Sequence, residues 1–300
     1  MSARPTLAPN ASDLHPTQDF DIRPVPGSFA AEVVGLDLAR PLAEVDFSRI
    51  HRAHLQHHVL VFRDQRITPD QQIAFSRRFG PLQIHVQKKF QLAGHPEVLI
   101  VSNIKENGEP IGLGDAGHFW HSDLSYKDKP SLGSMLHAQT LPSEGGDTLF
   151  ADQHAAYDAL PESLKSRIAG LQAEHSYLAK YEELRRRSPW RPVLTQAQLD
   201  EVKPVVHPVV RTHPESGRKA LFVSEHFTTR IVGLPEDESQ ALLAELFAAG
   251  TREGITYRHS WQPHDMVFWD NRSVTHLAAG TPDHLPRKLY RTTIEGDAPF

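Results

Sequence analysis

Short apolar runs bounded by Gly, Pro and polar residues punctuate this chain, and most have the length of a strand rather than a helix. Residues 22–34 alternate loosely and predict a strand pair that ends at Gly35-Leu36-Asp37-Leu38. A helix follows over 47–57, with Ile50 and Leu55 as its apolar anchors. Val59-Leu60-Val61-Phe62 is continuously apolar and reads as a buried strand. Thr68-Pro69-Asp70-Gln71 then announces a helix: Thr caps, Pro takes the first turn, Asp suits the dipole, and Gln can close a capping box. That helix should stop at Gly80-Pro81.

A strand at 98–101 leads into a Gly-rich loop over 107–117. Strands are predicted at 132–139 and 148–151 around a turn at 142–146, and again at 220–224, 266–269 and 288–294. Helices are predicted at 161–173 and 235–249, the second ended by Gly250. The polar, Arg- and Pro-containing stretch 179–204 reads as an excursion over a site. With no internal repeat, and strands concentrated in the second half, the expected class is mainly β with helical insertions, an antiparallel sandwich or barrel rather than alternating βαβ units.

Composition narrows the function more than the fold. The 300 residues carry a formal net charge of −5 and no cysteine. Disulfides, thiolate metal sites and cysteine nucleophiles are therefore excluded. Arg185-Arg186-Arg187 is the densest basic cluster and is too short to argue for nucleic acid. No stretch approaches a membrane span. Residues 1–19 lack an apolar core for a signal peptide and read as a disordered arm ahead of a single domain over 20–300, in a cytoplasmic protein. Of the 19 histidines, His51, His54 and His57 share a helix face and read as a solvated surface, since no carboxylate completes a site there.

The chemistry concentrates at His121-Ser122-Asp123. On a strand, alternation would place His121 and Asp123 on one side with Ser122 pointing away. With the distant His276 they form the 2-His-1-carboxylate set of non-haem Fe(II) oxygenases, which leaves open positions on the metal. Downstream come Gly145-Gly146-Asp147-Thr148, Trp269-Asp270-Asn271-Arg272, His276, Arg287 and Arg291. Arg291 lies four residues after Arg287, so on a strand the two would share a face. Phe119, Trp120 and Tyr126 are candidate pocket walls or core. Trp269 and Asn271 are expected to hold the strand and loop that present His276.

These residues, in this order, resemble the taurine/2,4-D (TauD/TfdA) family of Fe(II)- and 2-oxoglutarate-dependent dioxygenases. The resemblance also takes in Phe62-Arg63-Asp64-Gln65 and Phe79-Gly80-Pro81-Leu82, and covers nearly all of the chain beyond the arm. It implies a double-stranded β-helix (jelly-roll) core. It implies His121, Asp123 and His276 as iron ligands, Arg287 and Thr148 on the distal carboxylate of 2-oxoglutarate, and Arg291 on the anionic group of the substrate. His85 stands where some members place a substrate-contacting histidine. The implied reaction hydroxylates a substrate C–H while O2 and 2-oxoglutarate yield succinate and CO2. On a carbon bearing a sulfonate, sulfate ester or ether oxygen, the hydroxylated product would collapse to release sulfite, sulfate or an alcohol. Relatives of this kind commonly form dimers or tetramers. Gly117 stands where the taurine-oxidising pattern has asparagine, and the small residues of 112–117 suggest room for a larger organic anion. A Zn or Mn hydrolase and a non-catalytic anion-binding jelly roll are the competing readings.

Overall fold

The computed structural model describes residues 15–114, 117–188, 191 and 193–300. The described part of the 1–19 arm is tied down: Gln18 is buried, its N–H donates to Asp46 Oδ2 at 2.8 Å, and its side chain accepts from the Asp37 N–H. The fold therefore begins before Phe20, while residues 1–14 lie outside the description.

The largest element is an eight-stranded sheet. Its order runs Asp21–Pro24, Ala31–Val34, Val59–Phe62, Met266–Asp270, Ser131–Thr140, Lys288–Glu295, His95–Ser102 and Gln91–Leu92. Its one parallel pairing joins Ala31–Val34 to Val59–Phe62. A parallel pair needs a crossover, and the helix Glu44–His57 supplies it. So one βαβ unit opens a fold whose other pairings between named strands, among the described residues, are antiparallel. A three-stranded sheet, Thr256–His259, Thr148–Asp152 and Val274–Ala278, faces the large one.

Burial explains why 59–62 carries no polar residue. Val59 and Val61 join Val267, Trp269, Phe150, Tyr257 and Val274 in the core between the two sheets. Leu60 and Phe62 join Met135, Met266 and Phe268 beneath Ile50 and Phe75, which come from the helices Glu44–His57 and Pro69–Arg77. A strand buried on both faces reads as a continuous apolar run. The helix Pro69–Arg77 starts with the expected capping box, Thr68 and Gln71 bonding reciprocally.

Several elements depart from the sequence expectation. The helix predicted over 161–173 is Glu162–Ile168, because Gly170 turns at φ 75° and the chain re-enters as the strand Gln172–His175. The strand predicted at 220–224 is Lys219–Leu221. Strands at Val205–Pro208, Val210–Thr212, Thr228–Ile231, Thr256–His259 and Val274–Ala278 were not legible; at three to five residues each they carry little periodicity. The excursion over 179–204 contains two short helices, Tyr181–Arg187 and Gln196–Glu201, and its residues 189, 190 and 192 lie outside the description.

The solvated-face reading of His51, His54 and His57 is corrected. His51 pairs with Glu215 at 2.9 Å, but His54 is fully buried and stacks on Phe268, ring centroids 3.8 Å apart. A carboxylate is present too: His54 Nε2 lies 3.6 Å from Asp270 Oδ2, a contact made by a strand far along the chain.

Burial holds several imidazoles neutral. It lowers His54 and His175 to about 3 and His58 to about 4. Once unfolded, each takes a proton near pH 6.5. The unfolded chain then binds more protons than the folded one, so stability is full above about pH 6.5 and falls as pH drops toward 4. Thermal unfolding followed across pH 4 to 8 should show a plateau above about pH 6.5 and a steep acid-side decline. A flat profile down to pH 4 would contradict the neutral burial of these histidines.

Candidate active site

The site is built on one backbone pairing. His121 N–H donates to the His276 carbonyl at 3.0 Å, and His276 N–H donates back to the His121 carbonyl at 2.8 Å. This isolated antiparallel bridge docks the 117–123 segment against the strand Val274–Ala278, at the rim of the three-stranded sheet. The two imidazole centroids come within 4.0 Å. His121 Nδ1 lies 2.9 Å from the Phe119 carbonyl, which fixes the tautomer and turns Nε2 toward the site.

Asp123 arrives by a different route from the one its spacing suggests. Beyond His121 the chain is a turn, not a strand, and Leu124 is held at φ 59°. A branched residue with positive φ is uncommon and needs over-determined surroundings. These are supplied by hydrogen bonds. Asp123 N–H donates to Asn271 Oδ1 at 3.1 Å, and Ser122 Oγ donates to the Asn271 carbonyl at 2.7 Å. Trp269 Nε1 donates to the same Asn271 Oδ1 at 2.9 Å. Asn271 therefore holds the carboxylate-bearing turn as well as the loop before His276. Asp123 Oδ2 also accepts from Ser134 Oγ at 2.6 Å.

The outcome is a buried cluster. One ligand atom each from His121, Asp123 and His276 lies within 4.8 Å of the others. His121 Nε2 is 3.6 Å from Asp123 Oδ1, and His276 Nε2 is 3.9 Å from Asp123 Oδ2. Burial alone would raise the Asp123 carboxyl, but Arg291 and the two imidazoles outweigh it and hold it well below the usual range. Burial and the facing His121 push His276 well below its ordinary value. A neutral imidazole and a charged carboxylate are the forms that bind a metal. Two nitrogens and one carboxylate suit Fe(II), and the donor set fits that ion.

A pocket opens above this cluster, lined among others by His85, Arg291, His226, Tyr126, Tyr181 and Phe227. The structure thus brings His85 and Arg291 to the same cavity as His121 and Asp123 of the cluster. Arg291 NH1 lies 3.3 Å from Asp123 Oδ1, while its buried Nε has no partner. His85 is lowered to about 3, by burial first and Arg291 second. Tyr181, Leu184 and Arg191, from the 179–204 stretch, also line this pocket. Of the other aromatics singled out, Tyr126 lines the pocket, Phe119 packs at its rim under Lys180 and Arg187, and Trp120 sits half-buried beside His121.

Arg287 and Thr148 come together through Trp261. The Trp261 indole N–H donates to Thr148 Oγ1 at 3.1 Å, and the Arg287 guanidinium carbon lies 6.0 Å from the same ring. Arg287 is buried with no partner on Nε, and burial lowers it to about 10, which still leaves it charged near neutrality. An unpartnered buried guanidinium calls for an anion, and a carboxylate fits it. Arg287 does not lie on the strand of Arg291. It precedes Lys288–Glu295, and a register shift between Lys288 and Leu289 separates the two.

Sequence reasoning missed Trp261, Ser134 and His226. Each lies outside the motifs, and nothing in its own neighbourhood marks it. Gly117 proves to be conformationally required: at φ 79° a Cβ would sit 3.3 Å from His121 Cε1. Within 112–117, Asp115 and Ala116 lie outside the description.

The family model "Taurine catabolism dioxygenase TauD, TfdA family" matches residues 21–293. The chain belongs to the TauD/TfdA family. This dioxygenase is 40% identical over 281 residues to the alpha-ketoglutarate-dependent 2,4-dichlorophenoxyacetate dioxygenase of Cupriavidus pinatubonensis, covering 90% of this chain and 96% of that one. It is 36% identical over 297 residues to the (S)-phenoxypropionate/alpha-ketoglutarate-dioxygenase of Sphingobium herbicidovorans, covering 93% and 96%. Among solved structures, AAD-2 in complex with Mn(II) and N-oxalylglycine superposes with a TM-score of 0.78 at 33% identity, covering 94% of this chain and 99% of that one. The protein is an alpha-ketoglutarate-dependent dioxygenase of a family that uses Fe(II), 2-oxoglutarate and O2. No helix among the described residues is long and apolar enough to cross a membrane.

Ser134→Ala strips Asp123 Oδ2 of its donor. Metal affinity of the TauD/TfdA site, measured by Mn(II) calorimetry, should fall about tenfold or more. Unchanged affinity would remove Ser134 from the centre.

Proposed function

We propose that this dioxygenase hydroxylates a C–H bond of a small organic anion, and that an aryloxyalkanoate matches its pocket best. The carrying observation is that Arg291 and His85 open into one cavity with His121 and Asp123, which cluster with His276. In this reading the last three hold Fe(II), Arg287 and Thr148 clamp the distal carboxylate of 2-oxoglutarate, and Arg291 with His85 receives the substrate's anionic group. Bound there, Fe(II) with O2 and 2-oxoglutarate supplies the oxidising power for the hydroxylation, with succinate and CO2 as co-products. The two facing sheets are taken as the double-stranded β-helix (jelly-roll) core that such a site is built on.

The protein's own contribution is orientation. A guanidinium binds a carboxylate or sulfonate in a fixed fork, so the anion anchors one end of the substrate and aims its neighbouring carbon at the metal. With Asp123 committed to a metal, the Arg291 Nε that has no partner is left to meet that anion. His85, held neutral, adds a hydrogen bond without adding charge. One side of the wall is an aromatic group, set among Leu113, Leu124, Leu184 and Arg191: Tyr126 lies 4.9 Å from Tyr177 and 5.0 Å from Phe227, and Tyr177 lies 5.3 Å from Tyr181, by ring centroids. Such a wall favours an aryl group over the short chain of an aminoalkyl sulfonate. The 2,4-dichlorophenoxyacetate and (S)-phenoxypropionate named for the relatives are aryloxyalkanoates, and this agrees with that reading.

Three results test it. Asp123→Ala should abolish succinate formation from 2-oxoglutarate, and a surviving rate would sink the metal assignment. Arg291→Ala should raise the substrate KM far more than the KM for 2-oxoglutarate; equal increases would mean that the two arginines have been given the wrong partners. In an anion screen that follows succinate, phenoxyacetates should stimulate turnover above taurine, with a phenol released, and the reverse ranking would overturn the aryl preference.

A further inference from the structure

We infer that Trp261 is a positioning residue for co-substrate binding: its indole N–H fixes the Thr148 hydroxyl as a donor toward the distal carboxylate of 2-oxoglutarate. The inference rests on the clamp assigned above to Arg287 and Thr148. It adds a residue that neither the motifs nor the metal geometry pointed to.

The argument is one of hydrogen-bond polarity. Thr148 faces His259 in the ladder of the three-stranded sheet, and Trp261 follows two residues on, its ring folded back over Thr148. A threonine hydroxyl has a single proton and two lone pairs, whereas an indole nitrogen can only donate. Because Trp261 Nε1 donates to Thr148 Oγ1 at 3.1 Å, the oxygen is committed as an acceptor there. Its proton must point elsewhere, and among the described residues no acceptor takes it. A carboxylate can only accept. The indole therefore turns the hydroxyl's proton away from itself and leaves it free to donate to a carboxylate, before any ligand arrives.

The same ring touches the other half of the clamp. The Arg287 guanidinium carbon lies 6.0 Å from the Trp261 centroid. Gly146 allows that approach, since a Cβ there would come within 3.2 Å of Arg287 Cδ and Nε. Arg287 Nε is buried without a partner, so both clamp groups hold unused donors beside one indole.

Trp261 is itself held firmly. The following turn is closed by Asp265, which accepts from Gln262 N–H at 2.8 Å and donates its own N–H to the Gln262 carbonyl at 3.1 Å. His259 meets the indole edge-on at 4.7 Å, and its own ring lies 3.0 Å from the Tyr257 hydroxyl and 3.2 Å from Asp265 Oδ2. A donor fixed this firmly costs no reorganisation when the ligand binds.

The experiment is a double-mutant cycle between Trp261→Phe and Thr148→Val, read as ligand binding to the Mn(II)-loaded protein without O2. Phe keeps an aromatic ring near Arg287 while removing the N–H together with the second ring of the indole, and the oxalate probe and the Thr148→Val background separate the two losses. The probes are 2-oxoglutarate and oxalate, which can chelate the metal but has no distal carboxylate. Thr148→Val should weaken 2-oxoglutarate by about tenfold or more, the size of a hydrogen bond to a charged group, Trp261→Phe by about three- to tenfold, and both should leave oxalate unchanged. The double variant should bind no more weakly than Thr148→Val alone, since the indole acts through the hydroxyl. The KM for 2-oxoglutarate should rise in Trp261→Phe with kcat retained at saturation. An unchanged 2-oxoglutarate affinity in Trp261→Phe would overturn the inference. So would an equal loss for oxalate, or an equal further loss in the Thr148→Val background; each of these leaves the clamp standing. If Thr148→Val itself has no effect, the clamp reading fails, and the role of Trp261 fails with it.

Discussion

Two backbone hydrogen bonds between His121 and His276 are the constraint on which the rest of the site depends. They bring together residues from distant parts of the chain and set both imidazoles at one rim of the small sheet. Backbone pairing is a rigid way to do this, because it fixes the Cα positions before any side chain is chosen. The carboxylate cannot be placed by the same pairing, since the chain leaves the ladder straight after His121. Asp123 depends instead on Asn271 and Ser134. A buried carboxylate without partners would be costly. Here Arg291 and the two imidazoles keep it charged, and Ser134 satisfies its Oδ2.

The tetrapeptide Trp269-Asp270-Asn271-Arg272 is where structural and chemical demands meet. Trp269 fills the core between the sheets and steadies Asn271 with its indole. Asn271 grips the Asp123 turn. Asp270 and Arg272 form a fully buried ion pair at 2.7 Å, extended by His213 at 3.0 Å and by Glu215 on the far side of Arg272 at 2.8 Å. A buried ion pair adds little net stability on average, though breaking one is expensive. Its value here is geometric: it pins the loop between Met266–Asp270 and Val274–Ala278, so that His276 and Asn271 keep their mutual positions.

Much of the fold was legible where burial speaks through periodicity. The run 59–62 and the capping box at Thr68 mapped directly onto structure, because each is a local signal. The strands of three to five residues did not, and the helix expected over 161–173 overran because Gly170 breaks it. At the site, His121, Asp123, His276, Arg291 and His85 were singled out through motif order; four of them line one pocket, and His276 packs against His121. What order could not reveal was how they are held. Strand alternation was the wrong reason for His121 and Asp123 to converge, and for Arg287 and Arg291 to be linked. His54 passed for a surface residue because the group that buries it, Phe268, lies more than half the chain away. Ser134 and Trp261 act across the fold and leave no mark in their own neighbourhoods.

The most direct test of the central claim is anomalous diffraction from crystals grown without O2 in the presence of Mn(II) or Fe(II). One ion per chain should be bonded to His121 Nε2, an Asp123 oxygen and His276 Nε2, with the His121–His276 backbone bridge intact. An ion bound elsewhere, or one that lacks any of these three ligands, would contradict the account.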